Sequence, residues 1–425
     1  MPADVAQPKP ISKREWALVA LLVLSVLINY VDRQNLAMAA PLLEPQLRIS
    51  AAQMGALFAA FSWTYALLQL FGVSGYLADR FPVGWVFLCG YLLWTGATLA
   101  TGMLSTFGAI FAARLLLGAG ESIAYPCYSR VFAELPQHHR GRANAFIDAG
   151  TKLGPSAGAL LGGVLMVHYG WRALFFALGA GGLLWVLPWL IVMPRQRVQT
   201  EAIAAPARAT AELLSVASAW GTFLGHFCGN YFFYFLIAWL PTYLVHEAKL
   251  SILTMSKLAS GAFFLIAIST VTSGWLSDAL IARGHSATRV RKTIVSAGLV
   301  AASLVGFIFI LPGGSQMSYA VLLLACAGFG GYTSNHWAIS QTLAGPSMAG
   351  RWTGMQNGIA NLSGIIGPWL AGAIIQRSGS LRLAFLITGI VALAGAACWA
   401  FLVGRVEPVQ WSFAATALPD ERSIA

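Results

Sequence analysis

Ile28-Asn29-Tyr30-Val31-Asp32-Arg33-Gln34-Asn35 lies inside an apolar run that extends from Trp16 to Ala40. A run of that length is enough to cross a hydrocarbon layer ~30 Å thick. Asp32 and Arg33 therefore put an acid and a base side by side at membrane depth. An ionised side chain at the centre of a spanning helix costs roughly 2.5–3.5 kcal/mol on insertion scales. Such a pair is kept only where it meets partners or water, so it marks the functional centre.

The rest of the chain is built in the same way. Of its 425 residues, 58% are hydrophobic and only 10% are charged, against about 25% charged in soluble domains. The composition is that of a polytopic membrane protein. The net charge of +11 would suggest nucleic acid on a soluble protein. Here the basic residues sit in short loops and report topology instead. Cys89, Cys127, Cys228, Cys326 and Cys398 are isolated in apolar segments and form neither a metal spacing nor a disulfide framework. Lys9, Lys13 and Arg14 before an apolar run, with Ala37-Met38-Ala39 after it, imitate a signal peptide. Asp32 and Arg33 interrupt that run, and the segment reads as an uncleaved first helix.

Twelve segments are long and apolar enough to span: 16–40, 52–77, 83–105, 107–133, 142–168, 171–194, 218–246, 253–281, 290–311, 317–343, 350–377 and 381–404. The expected architecture is all-α, with six-helix bundles at 1–194 and 216–425 joined by a polar linker at 195–215. With both termini on the cytoplasmic side, 17 of the 26 Lys and Arg lie inside and 6 outside. Arg33, Arg114 and Lys152 remain in the membrane. That asymmetry orients the chain.

The halves repeat. Gly75-Tyr76-Leu77-Ala78-Asp79-Arg80 closes span two, and Gly274-Trp275-Leu276-Ser277-Asp278 closes span eight, 199 residues later. Gly154-Pro155 returns as Gly367-Pro368 after 213 residues, and Arg172 as Arg382 after 210. Three features in the same topological phase indicate a parallel duplication, with a site near the midplane between the repeats.

The 75–80 stretch resembles the loop signature between the second and third helices of the major facilitator superfamily. Asn29-Tyr30-Val31-Asp32-Arg33 and Arg114-Leu115-Leu116-Leu117-Gly118-Ala119-Gly120-Glu121 resemble the anion:cation symporter family within it. That family includes bacterial sugar-acid/proton symporters for galactonate, glucarate and hexuronates. The resemblance implies a twelve-helix major facilitator fold, alternating access, and protonation sites at Asp32 and Glu121. It also implies a gating role for Gly75, Asp79 and Arg80. After Arg80 the sequence departs from the family pattern, with Phe81, Pro82, Val83 and Gly84 where basic residues are usual. Charge contacts at that gate must then use Asp79, Arg80 and the nearby Arg140 or Arg142.

Rise per residue gives depth. Asp32 is 16 residues past Trp16, about 24 Å in, and Arg114 is 7 past Phe107, about 10 Å from the other side. Both lie in the outer half, and Glu121 is two turns beyond Arg114. A carboxylate holds its proton more tightly when desolvated and less tightly beside a cation, which suits a coupling acid. Arg114 can be their charge partner. Arg33 can take a carboxylate in two parallel hydrogen bonds. Asn144, Asp148, Lys152 and Ser156 recur every four residues along span five and form one polar stripe. Asp148 stands in the favourable order to pair with Lys152, yet Lys152 also lies near the midplane as a second anion-binding charge. Tyr30, Tyr65, Asn230, Tyr234, Asn357 and Asn361 offer hydroxyl and amide groups suited to a polyhydroxylated anion. His226 and His336 read as neutral hydrogen-bonding groups.

One motif points elsewhere. Gly141, Gly150, Gly154-Pro155 and Gly158 nearly match the span-five motif of drug/proton antiporters, departing at Ala159. Small residues at that spacing also permit close helix packing. The expectation is thus a multi-pass bacterial inner-membrane symporter that imports an organic anion, most simply a sugar acid, with protons. The alternatives are a drug exporter, an importer of aromatic or dicarboxylic acids, or a nutrient sensor of the same fold. No catalytic constellation is visible, so an enzyme is not expected. Partners are the small anion, protons and the lipid bilayer, with no nucleic acid and no cofactor beyond the proton gradient. A monomer is expected.

Overall fold

The computed structural model describes residues 12–133, 135, 137–194, 208–311 and 315–412. The described residues are helical almost throughout. Span one is α1 (Lys13–Leu47), longer at both ends than its apolar run. Its start is fixed by a capping box in which Ser12 and Glu15 exchange side-chain-to-backbone bonds. Pro41 and Pro45 lie inside its last turns. Arg48 takes a left-handed conformation and turns the chain into α2 (Ala51–Leu70).

Span two is interrupted. After α2 the chain turns at Phe71 and Gly72, with Gly72 at φ 71, and resumes as α3 (Val73–Arg80). Span three is α4 (Val83–Thr101). Span four is α5 (Phe107–Ser122) followed by α6 (Ala124–Ala133). Spans five and six run together as α7 (Gln137–Leu184) and α8 (Val186–Val192), broken at Gly170 with φ 77 and ψ 170. The stretch Phe146–Val192 has 47 residues, about 70 Å if straight, so it crosses twice. Eleven helices among the described residues are long and apolar enough to span. Dividing this one at Gly170 gives the twelve expected.

The linker read at 195–215 is only partly described, and its last part is helical, α9 (Arg208–Ser215). Span seven is α10 (Ala217–Thr242), ending in a π turn, and span eight is α11 (Ile252–Ala282). Span nine is α12 (Ala287–Ser303), continued by a 3-10 segment. Spans ten and eleven are α13 (Gln316–Asn361), broken at Gly345, and α14 (Ser363–Ser378). Span twelve is α15 (Arg382–Ala397), ending in a second π turn.

Lipid tails are as apolar as leucine, so helix association rests on close packing and interhelical hydrogen bonds. Both are visible. A Cβ on Gly90 would sit 2.8 Å from Gly120 O, and one on Gly120 would sit 2.7 Å from Gly90 O. Spans three and four therefore cross backbone to backbone. Gly298 and Gly328 do the same for spans nine and ten, at 2.6 and 2.7 Å. Each glycine recurs at one offset (298 − 90 = 328 − 120 = 208), so the repeat read in sequence is also a repeat of packing. Beside the first crossing, Tyr91 stacks on Trp185 at 4.2 Å. The indole of Trp185 donates to Leu21 O at 2.9 Å.

The chain packs as two compact units. The first holds Met1–Gln199 with Tyr234–Ala267 and Ile365–Leu381; the second holds Thr200–Phe233, Ile268–Gly364 and Arg382–Ala425. The division differs from the sequence halves because parts of spans seven, eight and eleven pack within the first unit. There Trp239 Nε1 donates to Pro368 O at 3.2 Å. Phe58 meets the Trp239 ring edge-on at 5.3 Å. A Cβ on Gly55 would sit 2.7 Å from Pro368 O. These contacts close the side of the first unit that carries Arg48.

Candidate functional site

The buried charges of the first unit form a quartet. Asp32, Arg33, Arg114 and Glu121 are 1%, 7%, 4% and 0% exposed. Arg33 Nε donates to Glu121 Oε2 at 2.8 Å, linking spans one and four. Arg114 acts electrostatically on both Asp32 and Glu121. Asn35 Nδ2 lies 3.5 Å from Asp32 Oδ1, a long contact. Two acids and two bases make the quartet formally neutral, and buried charges are tolerable only where they are compensated.

The geometry shares the two acids between the two bases. Adjacent residues on a helix point about 100° apart, so Arg33 turns away from Asp32 and reaches Glu121. Arg114 is left as the cation acting on Asp32. Glu121 Oε1 is buried without a hydrogen bond, so this carboxylate is held through one oxygen. A carboxylate bound on one side only has room for a proton on the other.

Arg33 is also ringed by aromatic groups. Its guanidinium carbon lies 4.5 Å from the Tyr30 ring, 4.9 Å from Phe61 and 4.6 Å from Tyr65. Tyr234 is close enough to act on its charge. Flat cations are stabilised over such faces. The structure thus brings together Asp32, Glu121, Arg33, Arg114, Tyr30, Tyr65 and Tyr234. Phe61 is an addition that sequence reading missed, since an aromatic on an apolar helix carries no signal of its own.

Lys152 makes its bonds within span five. Its Nζ lies 2.8 Å from Asp148 Oδ1 and 2.9 Å from Thr151 Oγ1. Ser156, one turn on, bonds Ser260 of span eight at 3.0 Å. Asn230, Asn357 and Asn361 belong to the second unit. Asn361 Nδ2 donates to Asn357 O at 2.9 Å, which commits part of that amide to its own helix.

Gly75, Asp79 and Arg80 lie in the helix α3 rather than in a loop. Asp79 pairs with Arg130 of span four. The side chains of Arg140 and Arg142, expected as partners, lie outside the described residues.

The glycines of span five pack against span one. A Cβ on Gly150 would meet Val26 at 2.5 Å, and one on Gly154 would meet Tyr30 Cβ at 2.4 Å. On Gly158 it would meet Val31 at 3.2 Å. The stripe therefore sets how closely spans one and five approach, and with it the position of Tyr30.

The sequence profile of the Major Facilitator Superfamily matches residues 22–363. The chain belongs to that superfamily. It is a multi-pass membrane transporter, and its small-molecule substrate follows from the same membership. The "Probable galactarate/D-glucarate transporter" of Bacillus subtilis (strain 168) is 28% identical, over 96% of this chain and 97% of that one. The "D-galactonate transporter" of Escherichia coli O6:H1 is 27% identical, over 96% and 99%. Among solved structures, a bacterial homologue of the human lysosomal transporter Spinster, inward-facing and unoccupied, superposes with TM-score 0.78. It is 19% identical and covers 93% of this chain and 98% of its own, a likeness of fold. Carriers of this superfamily move solutes without altering them.

Proposed function

We propose that this carrier imports an organic anion, of the sugar-acid class, in symport with protons across a bacterial inner membrane. The observation that carries the reading is the neutral buried quartet, in which Arg33 is held by Glu121 and surrounded by tyrosines. A substrate carboxylate that engages Arg33 competes with Glu121 for the same guanidinium. The displaced Glu121 then leaves one negative charge too many in a low-dielectric site. A proton on Glu121 removes it, so anion and proton enter together. Asp32, beside Arg114, is the second acid available for protonation. The tyrosine hydroxyls and ring faces suit a polyhydroxylated carbon chain, and two relatives carry sugar-acid names.

With both termini in the cytoplasm, as the basic residues favour, the Arg48 side of the first unit is the outer one. The span-five glycines that nearly match an antiporter motif pack against span one, and the exporter reading is kept as the alternative that the screen below separates. A thermal-shift screen of the purified protein against sugar acids, aromatic acids and hydrophobic cations tests the proposal. A bound ligand stabilises by mass action. A sugar acid should raise the melting temperature, with larger shifts at higher concentration. Stabilisation by hydrophobic cations alone would overturn the importer reading.

A further inference from the structure

The two halves differ at one matched level. The glycine crossings set spans four and ten 208 residues apart, so Tyr128 corresponds to His336. Asn29-Tyr30 and Asn230-Tyr231 set spans one and seven 201 apart, so Ser25 corresponds to His226. In the first half Ser25 Oγ and Tyr128 OH lie 2.9 Å apart and buried, tying span one to span four. In the second half the rings of His226 and His336 lie with centroids 4.7 Å apart and planes at 58°. Both are buried, at 4% and 5% exposed. A hydroxyl pair that stays neutral in the physiological range is replaced by two imidazoles, the side chains that titrate there.

We propose that His226 and His336 form a second proton-binding site, a pair of neighbouring imidazoles on spans seven and ten that together take one proton. The hydrogen bonding selects the atom. His336 Nδ1 lies 3.1 Å from Thr333 O, and a carbonyl only accepts, so Nδ1 keeps its hydrogen in either charge state. Nε2 is then the nitrogen of His336 that takes or releases the proton. The surroundings suit a cation. Trp337 lies 4.9 Å from each imidazole, and Tyr332 stacks on His336 at 5.0 Å and 22°. Aromatic faces stabilise a cation placed over them. A second proton would set two imidazoliums against each other within one small site, so the pair titrates as a unit and stops at one.

The other titratable groups around the pair come from several elements. Span ten supplies Tyr332. Span seven supplies Cys228, which acts on Tyr332, and span twelve supplies Cys398, which acts on Cys228. Span nine supplies Arg291, bonded to Thr342 at 3.3 Å, and Lys292, bonded to Val403 O. Thr342 is six residues beyond His336, about 9 Å along the helix. Span eight supplies the exposed Asp278, next to the Ser277 that bonds Asn335 at 2.9 Å.

The test needs no transport and no knowledge of the substrate, so it stands or falls apart from the coupling scheme above. His226→Ser combined with His336→Tyr installs the first half's own pair and preserves an interhelical bond. Proton uptake by the purified protein is titrated from about pH 9 to pH 5, the range over which imidazoles change charge. The double variant should bind one proton fewer than the parent. Equal uptake would mean that both imidazoles stay neutral, and two fewer would mean independent sites; either overturns the proposal. The unmodified protein is also labelled with 15N-histidine. Among its seven histidines, the two signals lost on substituting either His226 or His336 with Gln should titrate together. Signals that do not move over that range would overturn it as well.

Discussion

Arg33 and Glu121 join spans one and four through a single bond of 2.8 Å, from Nε to one carboxylate oxygen. The bond is buried, charge-assisted and one-sided. A bidentate pair would have used both oxygens and left no opening. Here the guanidinium keeps further donors, and Glu121 keeps Oε1. On the proposed function, this is the bond that a substrate carboxylate would exchange with.

Glu121→Gln keeps the shape and an acceptor for Arg33 but cannot titrate. Uptake driven by a pH gradient should be lost, while exchange of labelled for unlabelled substrate across a liposome membrane continues. Accumulation at the parental level under a pH gradient would take Glu121 out of the coupling step. Asp32→Asn is tested in the same assay and should behave alike.

The coupling stoichiometry shows in the electrical response. If Asp32 and Glu121 each carry a proton with one monoanion, every cycle moves one net positive charge inward. An inside-negative potential then favours uptake by about 2.3 kcal/mol per 100 mV. Accumulation of a monoanionic sugar acid in proteoliposomes should rise with a valinomycin-imposed potential. Uptake indifferent to potential would mean one coupled proton and would end the two-acid scheme.

Arg33→Lys keeps the charge beside Glu121 but not the flat fork that lies against Tyr30, Phe61 and Tyr65. A compact ammonium gives up bidentate recognition and face contact. Ligand affinity should fall about tenfold or more, a loss of ~1.4 kcal/mol or greater, with the melting temperature little changed. Undiminished affinity would show that the carboxylate is bound elsewhere.

The span-five glycines make a stability prediction. Gly154→Ala forces a methyl against Tyr30 Cβ, 2.4 Å away on the present backbone. Overpacking of this kind costs about 1–3 kcal/mol, and the melting temperature in detergent should drop by several degrees. Gly96→Ala is the control, since a Cβ there meets nothing within 4 Å, and it should be neutral or slightly stabilising. Equal melting temperatures for the two variants would show that spans one and five are not held at that contact.

The fold was legible because apolar length and loop charge are properties of one segment at a time. Asp32, Glu121 and Arg114 were legible for the same reason, through depth along their own helices. Pairing across helices was not. The Arg33–Glu121 bond depends on how span one is rotated against span four, and no spacing within either span records that. The Arg130–Asp79 pair likewise joins residues 51 apart in the chain. His226 and His336 were each read alone. The repeat offsets taken from Gly75, Gly154 and Arg172 hold for other spans, and only the Gly90–Gly120 crossing set the offset for span ten. The Asn29-Tyr30 repetition, by contrast, stood in the sequence and was the signal that could have placed His226 opposite Ser25.

Lys152 is the remaining membrane cation, and its contacts with Asp148 and Thr151 leave two roles to separate. As a mere counter-charge, its loss would act by stranding Asp148, though Asp148 is about half exposed at 52% and the penalty is screened accordingly. As a second anion-binding charge near the midplane, its loss would weaken the ligand whatever Asp148 becomes. Lys152→Met alone and Lys152→Met with Asp148→Asn distinguish them. Removing both members of a buried ion pair is commonly near neutral for stability, whereas removing one costs more, here less than for a fully buried pair because Asp148 is half exposed. The double variant should recover the melting temperature of the parent while its affinity for the sugar acid stays at least tenfold weaker. Lys152→Arg should also bind poorly, because a planar fork does not replace a compact ammonium. Melting temperature and dissociation constant are measured on the same preparations. Affinity that returns in step with stability in the double variant would reduce Lys152 to a partner of Asp148 and leave Arg33 as the anion site.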